Sequence, residues 1–454
     1  MVDRIRTAIS AAPWPLTIVA LLALQLGPLP LKAAALLTLA AVGWAVPAIL
    51  VVLVPATAPY ALIPVALTER AALPIHEFVW ALAVAGWAWQ SLRSRAHDIV
   101  WRRSDGWVAV LVLAAAASLL WVLPEGRGEA LRVLRWVIVE PVVWYFLLRS
   151  TLRRDPAVVT TLVHTVVVSS ACIAALGLLQ FVGVDLVPLL GEKRVFADNV
   201  VATGNIRRVA AVYGHANNLG LLLERALPLA VLAAYWRTWR IPGRWAWAAV
   251  IAAGLVVSFS RGAWLATLVA VAVGVVLTSG GAAIRRRPWL IAVIALAGCV
   301  GVAATVLTRG TSAGSFDARV LLWGEAVQWI QQRPLGLGLG QFYFFHNPEY
   351  GHSIIDPSLV GSSEQYAAHP HNIFLDAWLN LGPLGLLALL ALVVGGIRQA
   401  LAAATPLHTV VVALLIGTAV HGLVDQYVFV SDLALWFWLA QALAAFDTPD
   451  TSRL

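Results

Sequence analysis

The chain has 454 residues, of which 61% are hydrophobic and only 12% are charged, and its formal net charge is +8. Apolar runs of roughly 18 or more residues recur along almost its whole length, and such runs are typical of transmembrane helices. The composition therefore indicates an all-α polytopic membrane protein and excludes a β-barrel, which needs short segments of alternating polarity. The basic excess does not indicate nucleic-acid binding, because much of it lies in short loops that orient spans toward the cytoplasm.

Apolar runs predict the membrane spans. They cover residues about 14–31, 33–55, 75–92, 106–123, 133–150, 157–183, 216–236, 244–260, 262–279, 288–308, 373–397, 406–424 and 431–447. The N-terminus and the basic loop 93–103 both carry arginines typical of the cytoplasmic side, so an even number of crossings must lie between them. Three runs do not satisfy this parity. Either two of them form a hairpin that does not fully cross, or residues 60–67 add a short span, and we expect about twelve spans in total.

Alternating the spans places residues 184–215, Arg261 and residues 309–372 on the non-cytoplasmic side. The chain thus divides into a first set of spans over residues 1–308, a large polar loop over 309–372 and C-terminal spans over 373–454. We expect the loop to form the roof of an active site, because it is the longest polar interval between apolar runs.

The large loop opens with an amphipathic helix predicted over residues 316–333. Its apolar face would hold Val320, Trp323, Val327 and Ile330. Next comes a glycine series, Gly336, Gly338 and Gly340. It follows a helix rather than a strand, so it is not a dinucleotide fingerprint, and we expect a tight backbone passage over the site there.

Four polar clusters fall on the predicted non-cytoplasmic side. They are Arg208 with Tyr213, His215 and Asn217; Ser260-Arg261-Gly262; Asp317 with Arg319; and His371-Asn372, followed by Gly382. Arginine binds phosphate oxygens bidentately and stays charged, and histidine can take a proton near neutral pH. Together these residues suit the binding of an anionic phosphate group beside a general base.

Simpler interpretations of these residues remain open. An arginine at a helix end is often a snorkelling anchor or a topology signal, and His371 could cap the helix that follows it. His369 and His346 are expected to be ordinary loop residues. Ionisable residues also occur inside predicted spans, where they form either structural pairs between helices or a polar pathway; they are Glu140, Glu224, Arg225, Asp376, His421 and Asp425.

These motifs resemble the O-antigen ligase and O-antigen polymerase superfamily. His371-Asn372 with nine residues before Gly382 is similar to its H-N/S/Q-x9-G signature, and Ser260-Arg261-Gly262 to its S-R-G/S turn. The segment from Arg208 to Asn217 resembles R-V-x-G-x-F-x-H-P-N, with Ala211 in place of the glycine. The residues between Arg319 and Phe342 resemble the stretch ahead of the histidine. The likeness is close over about 200–385.

The resemblance implies a metal-independent glycosyltransferase of the GT-C type that faces the periplasm of the bacterial inner membrane. Its donor would be a glycan on undecaprenyl diphosphate. The acceptor would be lipid A-core oligosaccharide in a ligase, another lipid-linked glycan in a polymerase, or a protein Ser or Thr in an oligosaccharyltransferase. The large loop near the C-terminal end favours a ligase, and the short tail after the last predicted span is expected to disfavour the protein-modifying members.

The resemblance also implies roles for particular residues. His371 would be the general base, and Arg208, Arg261 and Arg319 would bind the diphosphate. Supporting roles would fall to His215, Asn217, Ser260, Asn372 and Gly338. No metal or other cofactor is expected. Cys172 and Cys299 lie far apart in apolar runs, so neither a disulfide nor a zinc site is predicted.

A transporter or flippase is the alternative from another functional class. It would use Glu140, Glu224, Arg225, Asp376 and Asp425 in a central pathway. The sequence shows no paired halves with matching broken helices, a feature that many transporters have. The polar motifs also gather on one predicted face rather than at the midplane, which favours the transferase.

Overall fold

A computed structural model describes residues 13–68, 71–94, 99–191, 208–236, 239–279 and 314–447, and its regular elements there are almost all helices. The predicted span over 288–308 lies outside these ranges. The first half of the chain forms α1 (Pro13–Leu26), α2 (Leu29–Ala45), α3 (Pro47–Thr57), α4 (Ile75–Ser94), α5 (Asp105–Ser118), α6 (Arg127–Val133), a π-helical turn (Leu134–Val139), α7 (Glu140–Arg154), α8 (Val158–Phe181) and α9 (Val187–Leu190).

The second half of the chain continues the bundle and adds the polar loop. Its helices are α10 (Ala216–Tyr235), α11 (Arg244–Val257), α12 (Arg261–Ser279), α13 (Gly314–Gln332), α14 (Phe342–His346), α15 (Ile373–Ala403), α16 (Pro406–His421) and α17 (Ser431–Ala444). Short 3₁₀ turns lie at Ala58–Leu62, Leu119–Trp121, Pro124–Gly126, Pro348–Tyr350, Pro357–Leu359 and Ser363–Tyr366. The strands β1 (Val65–Ala66) and β2 (Ala72–Leu73) form one small antiparallel ribbon.

Among the described residues, α8, α10, α12 and α15 are long and apolar enough to cross a membrane, and the other apolar helices are shorter. The all-helical, multi-span architecture agrees with the sequence, whereas the count of about twelve spans stays a prediction. Large aromatic side chains such as Trp144, Tyr213 and Trp438 are buried and belong to the main hydrophobic core.

The predicted N-terminal run 33–55 forms two helices rather than one. Pro47 lacks the N–H that a continuous helix needs, so the run 33–55 divides at Val46 into α2 and α3. Gln25 Nε2 donates to the Ile63 carbonyl at 3.0 Å. The turn between α1 and α2 therefore lies next to the end of the 3₁₀ turn that follows α3. Four helices of the described chain thus precede the basic loop, and which of them cross the membrane stays a prediction.

The loop helix α13 packs only partly through the predicted face: Ile330 contacts the second core and Trp323 is half-buried. Val320 and Val327 are exposed, whereas Leu322, Ala326 and Trp329 are buried. These three side chains join a small second core that includes Leu337, Phe342, Phe345 and Leu379. The helix carries two apolar stripes, and the sequence pattern did not show which of them meets the bundle.

A kink in α15 is closed by backbone from the glycine series. Pro383 has no N–H to donate to the Leu379 carbonyl four residues earlier. That carbonyl instead accepts hydrogen bonds from the backbone N–H groups of Leu337 and Gly338 at 2.7 and 3.1 Å. Gly382, at φ 69°, allows the chain to turn at this point.

The close approach at this kink explains why these positions are glycine. A Cβ on Gly382 would lie 2.7 Å from the Leu335 carbonyl oxygen, and one on Gly336 would lie 2.7 Å from the Leu379 carbonyl oxygen. Gly340 N–H donates to Asn380 Oδ1 at 2.7 Å. The predicted tight passage is present, and it joins the loop to α15.

Candidate active site

The four polar clusters of the sequence meet at one end of the helical bundle. Arg208 precedes α10, Arg261 begins α12, Arg319 lies near the start of α13 and His371 precedes α15. A fifth segment, between α16 and α17, adds Asp425 to the same place. Residues distant in sequence are thus brought together where apolar helices end and polar backbone begins.

His371 is held between two carboxylates. Its Nδ1 lies 3.2 Å from Asp425 Oδ1, and its Nε2 lies 3.4 Å from Glu364 Oε2. Its backbone is left-handed, with φ 50°, and its carbonyl accepts a hydrogen bond from Trp323 Nε1 at 3.4 Å. The ring is therefore fixed from the loop, from α13 and from the α16–α17 segment.

Asn372, rather than His371, caps α15. Its side-chain oxygen accepts hydrogen bonds from the backbone N–H groups of Phe374 and Leu375 at 3.0 and 3.1 Å. Its side-chain nitrogen donates to the Leu423 carbonyl at 3.1 Å. The alternative that His371 serves as the cap is therefore wrong, and its ring is available for other chemistry.

The two carboxylates control the protonation of His371. Burial alone would lower the pKa of His371, but hydrogen bonds to Asp425 and Glu364 outweigh it and raise that pKa to about 9. Burial opposes ionisation of Asp425 as well, yet the bond to His371 holds its pKa well below the usual range. Glu364 also has a lowered pKa, chiefly through its hydrogen bond with His371. With this raised pKa, the ring is an imidazolium at neutral pH.

Two further histidines surround this ring. His369 packs against His371 with ring centroids 4.4 Å apart, and its Nδ1 accepts the His371 backbone N–H. Burial, reinforced by the charge on His371, lowers the pKa of His369 to about 3. His215 caps α10 by accepting Asn217 N–H, and burial lowers its pKa to about 4. The expectation that His369 is an ordinary loop residue is wrong.

The three predicted arginines line one small cavity of about 50 Å³, which we call the arginine cavity. Arg208 donates to Asn217 Oδ1 at 2.7 Å and to the Ser258 carbonyl at 3.3 Å. Asn217 in turn donates to Asp425 Oδ2 at 2.9 Å, and an Arg319 Nη lies 3.8 Å from the same oxygen. Arg261 is exposed and has no ion-pair partner among the described residues.

The Ser260-Arg261-Gly262 turn is shaped by a histidine beneath it. A Cβ on Gly262 would lie 2.5 Å from His421 Nε2, so only glycine fits there. His421 is held by Glu224, whose carboxylate lies 2.6 Å from its Nδ1. Ser260 is buried and accepts a weak hydrogen bond from Ala263 N–H at 3.4 Å. The turn therefore presents Arg261 to the cavity while its neighbours pack inward.

Backbone strain gathers around the site. Ala211, Phe259 and His371 each have φ 50°, a left-handed value that non-glycine residues seldom adopt. Each belongs to, or directly precedes, one of the polar clusters. Ala211 stands where the resembling family pattern has glycine, and its conformation gives the physical reason for that preference.

The remaining predicted residues lie in other surroundings. Gly338 belongs to the kink in α15 and does not line the arginine cavity. Glu140 pairs with Arg135 at 3.2 Å, away from the clusters. Arg225 lies over the Tyr427 ring, 3.8 Å from its centroid, and also contacts Glu224. Each of these residues thus contacts a neighbouring element of the bundle.

Sequence reasoning missed two residues that contact His371. Asp425 was assigned to the class of in-span charges, and Glu364 was not singled out. Both lie on the predicted non-cytoplasmic side, where a carboxylate near a histidine motif could have served as a signal. Their partnership with His371 depends on how α16, α17 and the loop meet, which local sequence does not show.

Two further observations bear on ligands. A larger cavity of about 510 Å³, the large cavity, lies against His369 and is lined by polar and aromatic side chains. His369, His371 and Asp425 each place a ligand atom within 4.8 Å of the others, so they could hold a metal ion. However, His369 Nδ1 already accepts a backbone N–H, and Asp425 Oδ1 accepts Gln426 N–H.

Comparison with protein families gives a match over the central part of the chain. Residues 246–390 match the family model described as O-antigen ligase. The chain carries an O-antigen ligase domain over these residues. The domain includes Arg261, Arg319, Glu364 and His371, and it confirms the resemblance seen in the motifs. With the apolar helices, it indicates a multi-pass membrane protein that contains this domain. A search of curated proteins gives no match.

Proposed function

We propose that the protein is an O-antigen ligase, a glycosyltransferase of lipopolysaccharide biosynthesis. It transfers a glycan from undecaprenyl diphosphate to lipid A-core oligosaccharide at the periplasmic face of the bacterial inner membrane. One observation carries this proposal: a histidine held by two carboxylates adjoins a cavity lined by three arginines, within and beside an O-antigen ligase domain. A base beside an anion site is what transfer from a diphosphate requires.

His371 acts as the general base, oriented by Asp425 and Glu364. The imidazolium first releases its Nε2 proton to solvent, which leaves a neutral ring whose Nδ1–H is held by Asp425 and whose Nε2 lies 3.4 Å from Glu364. The acceptor hydroxyl then gives its proton to Nε2 while its oxygen attacks the anomeric carbon of the donor. The bond from that carbon to the diphosphate oxygen breaks, undecaprenyl diphosphate leaves with the electron pair, and the configuration inverts.

The arginines stabilise the departing diphosphate. Arg208, Arg261 and Arg319 converge on one cavity, and fixed cations there offset negative charge as it grows on the leaving group. Two of them are positioned before the substrate arrives, because Arg208 bonds Asn217 and Arg319 contacts Asp425. This arrangement supplies the charge stabilisation that a metal ion gives in other transferases.

Complementation of a bacterial strain that builds O-antigen but lacks its ligase tests this function. Wild-type protein should restore a lipopolysaccharide ladder on a gel, and His371→Ala should not, at equal membrane levels. A foreign core could prevent rescue, so the purified protein is also tested with lipid-linked glycan alone. Lengthening of that glycan would indicate a polymerase instead, and absence of both activities would contradict a transferase and favour the transporter.

A further inference from the structure

The large cavity adjoins the catalytic histidine. His369 lines it, and the His369 ring packs on His371. Asn217 lines the arginine cavity, and its neighbour Asn218 lines the large cavity. In the same way, Asp425 lines the arginine cavity and Gln426 lines the large cavity. The two cavities therefore share these two segments as a common wall, with His371 bonded to one of them.

Aromatic and hydrogen-bonding side chains together form the wall of the large cavity. The aromatic part comes from Trp136, Tyr343, Phe344 and Phe429. The π-helical turn contributes Trp136 and Val137, and such turns are frequent at functional sites. The hydrogen-bonding part comes from Tyr213, Asn218, His369, Asp376, Asn380 and Gln426. A volume of about 510 Å³ lies within the range of small-molecule sites.

Asp376 supplies the most specific observation about this wall. It is 2% exposed, and its Oδ1 accepts a hydrogen bond from Asn380 Nδ2 at 2.9 Å. Its Oδ2 has no hydrogen-bond partner among the residues that the structure describes. A buried polar atom in this condition lowers the stability of a fold. A ligand that hydrogen-bonds to Asp376 would give this atom its missing partner.

The charges of the cavity exclude an anionic ligand. Its ionisable groups include the carboxyl groups of Glu129, Asp376 and Asp432, and its guanidinium, that of Arg132, already pairs with Glu129. A phosphate or uronate would enter beside carboxyl groups without an unpaired arginine to bind it. An uncharged molecule with many hydroxyl groups and an apolar face fits the same wall.

We propose that the large cavity binds the terminal sugars of the acceptor, and that it selects uncharged, hydroxyl-rich sugars. This inference rests on the proposed function. The nucleophile and the leaving group must approach the anomeric carbon from opposite sides in an inverting displacement. If the diphosphate occupies the arginine cavity, the acceptor enters from the other side of the shared wall. His369 Nδ1 accepts a backbone N–H, so its neutral ring carries Nε2–H, a donor for a sugar hydroxyl.

The substitution Asp376→Leu separates binding from folding. Leucine removes the unpartnered oxygen, so the melting temperature of the purified protein should stay unchanged or rise. The affinity for the acceptor should fall roughly tenfold or more, because a buried polar contact is lost. The donor KM should stay unchanged. A second variant, Ala368→Trp, fills the cavity from an exposed position and should raise the acceptor KM without destabilising the fold.

Binding is measured by calorimetry with two probes, a delipidated core oligosaccharide ending in neutral hexoses and its analogue ending in a uronic acid. Wild-type protein should bind the neutral probe more tightly, and Asp376→Leu should lose this binding while Arg261→Met keeps it. Equal binding of both probes, or unchanged acceptor KM in both cavity variants, would overturn the inference. If both cavity variants transfer the glycan with an unchanged acceptor KM, the inference fails but the proposed function stands. If wild-type protein binds the neutral probe selectively but transfers no glycan, the sugar site stands and the proposed function fails.

Discussion

The two ends of the helical bundle hold their charges in different ways. At the end away from His371, Asp105 is fully buried and Arg149 Nη1 pairs with it at 2.6 Å. Tyr145 OH donates to the same carboxylate at 2.9 Å, and the other Arg149 nitrogen donates to the Val100 carbonyl at 3.0 Å. Strong donors and acceptors there are matched within the protein.

The end that carries His371 is arranged for a ligand. Arg261 is exposed without an ion pair in the described chain, Arg319 is 3.8 Å from a carboxylate oxygen that it shares with Asn217, and His371 is held in a strained conformation. Matched charges stabilise a fold, whereas unmatched charges and strain persist where function requires them. The comparison thus distinguishes structural arginines from candidate catalytic ones. Counting charged residues in the sequence does not make this distinction.

The largest effects are expected from two substitutions, one at each end of the bundle. Arg261→Met should lower the transfer rate about a hundredfold to a thousandfold, because one fixed cation at the leaving group is lost, and should leave the melting temperature unchanged. Arg149→Met should instead lower the melting temperature and leave the transfer rate unchanged. It leaves Asp105 buried and unpaired, which costs about 3–5 kcal/mol of stability. Rates and melting curves of both purified variants check this, and equal loss of activity at equal stability would contradict the distinction.

The pH dependence of the reaction should report the carboxylates around His371. The carboxylates raise the pKa of His371 to about 9, and a base must be neutral to take a proton. The value of kcat/KM should therefore rise with pH toward a midpoint near that value. Glu364→Gln removes one contact that raises the pKa, so its midpoint should move to lower pH.

Glu349→Gln in the exposed part of the loop is the matched control for this profile, and it should reproduce the wild-type midpoint. Asp425, His369, His215 and Arg319 also face the ring and stay unchanged in both variants. An unshifted midpoint in Glu364→Gln, or a rate that falls as pH rises through this range, would show that the carboxylate does not tune the base.

Relief of strain should give the smallest effect. Ala211 has φ 50°, which costs an L-residue roughly 1–2 kcal/mol, and glycine adopts this conformation freely. Ala211→Gly should therefore raise stability by about 1 kcal/mol after the greater freedom of unfolded glycine is counted, with transfer unchanged. Ala391→Gly inside α15 is the control and should lower stability by about the same amount. A melting temperature that falls in Ala211→Gly would show that the strain is not relieved.

Much of the bundle was predictable because apolar runs carry their own signal. The predicted span over 157–183 became Val158–Phe181, and that over 216–236 became Ala216–Tyr235. The sequence also indicated that Arg208, Arg261, Arg319 and His371 lie on one face. These predictions depend on composition and motif spacing, which are local properties.

The errors arise where tertiary packing chooses between local possibilities. Pro47 was recognised as an interruption, but the sequence did not show that it separates two helices of a hairpin. The sequence pattern did not show that Leu322 and Trp329 of α13 pack in the second core. Asp425 was placed among in-span charges, although it contacts His371, Arg319 and Asn217 at once. Contacts between distant segments have no signature in a single sequence.

Release of undecaprenyl diphosphate is the most direct measurement of the central claim. Purified protein would be given lipid-linked O-antigen and lipid A-core oligosaccharide in the presence of a metal chelator. Wild-type protein should release undecaprenyl diphosphate as the glycan appears on the core, and His371→Ala should release it about a hundredfold to ten-thousandfold more slowly. Release at the wild-type rate by His371→Ala, or release that stops with chelator and returns with magnesium, would contradict a histidine base beside an arginine cavity.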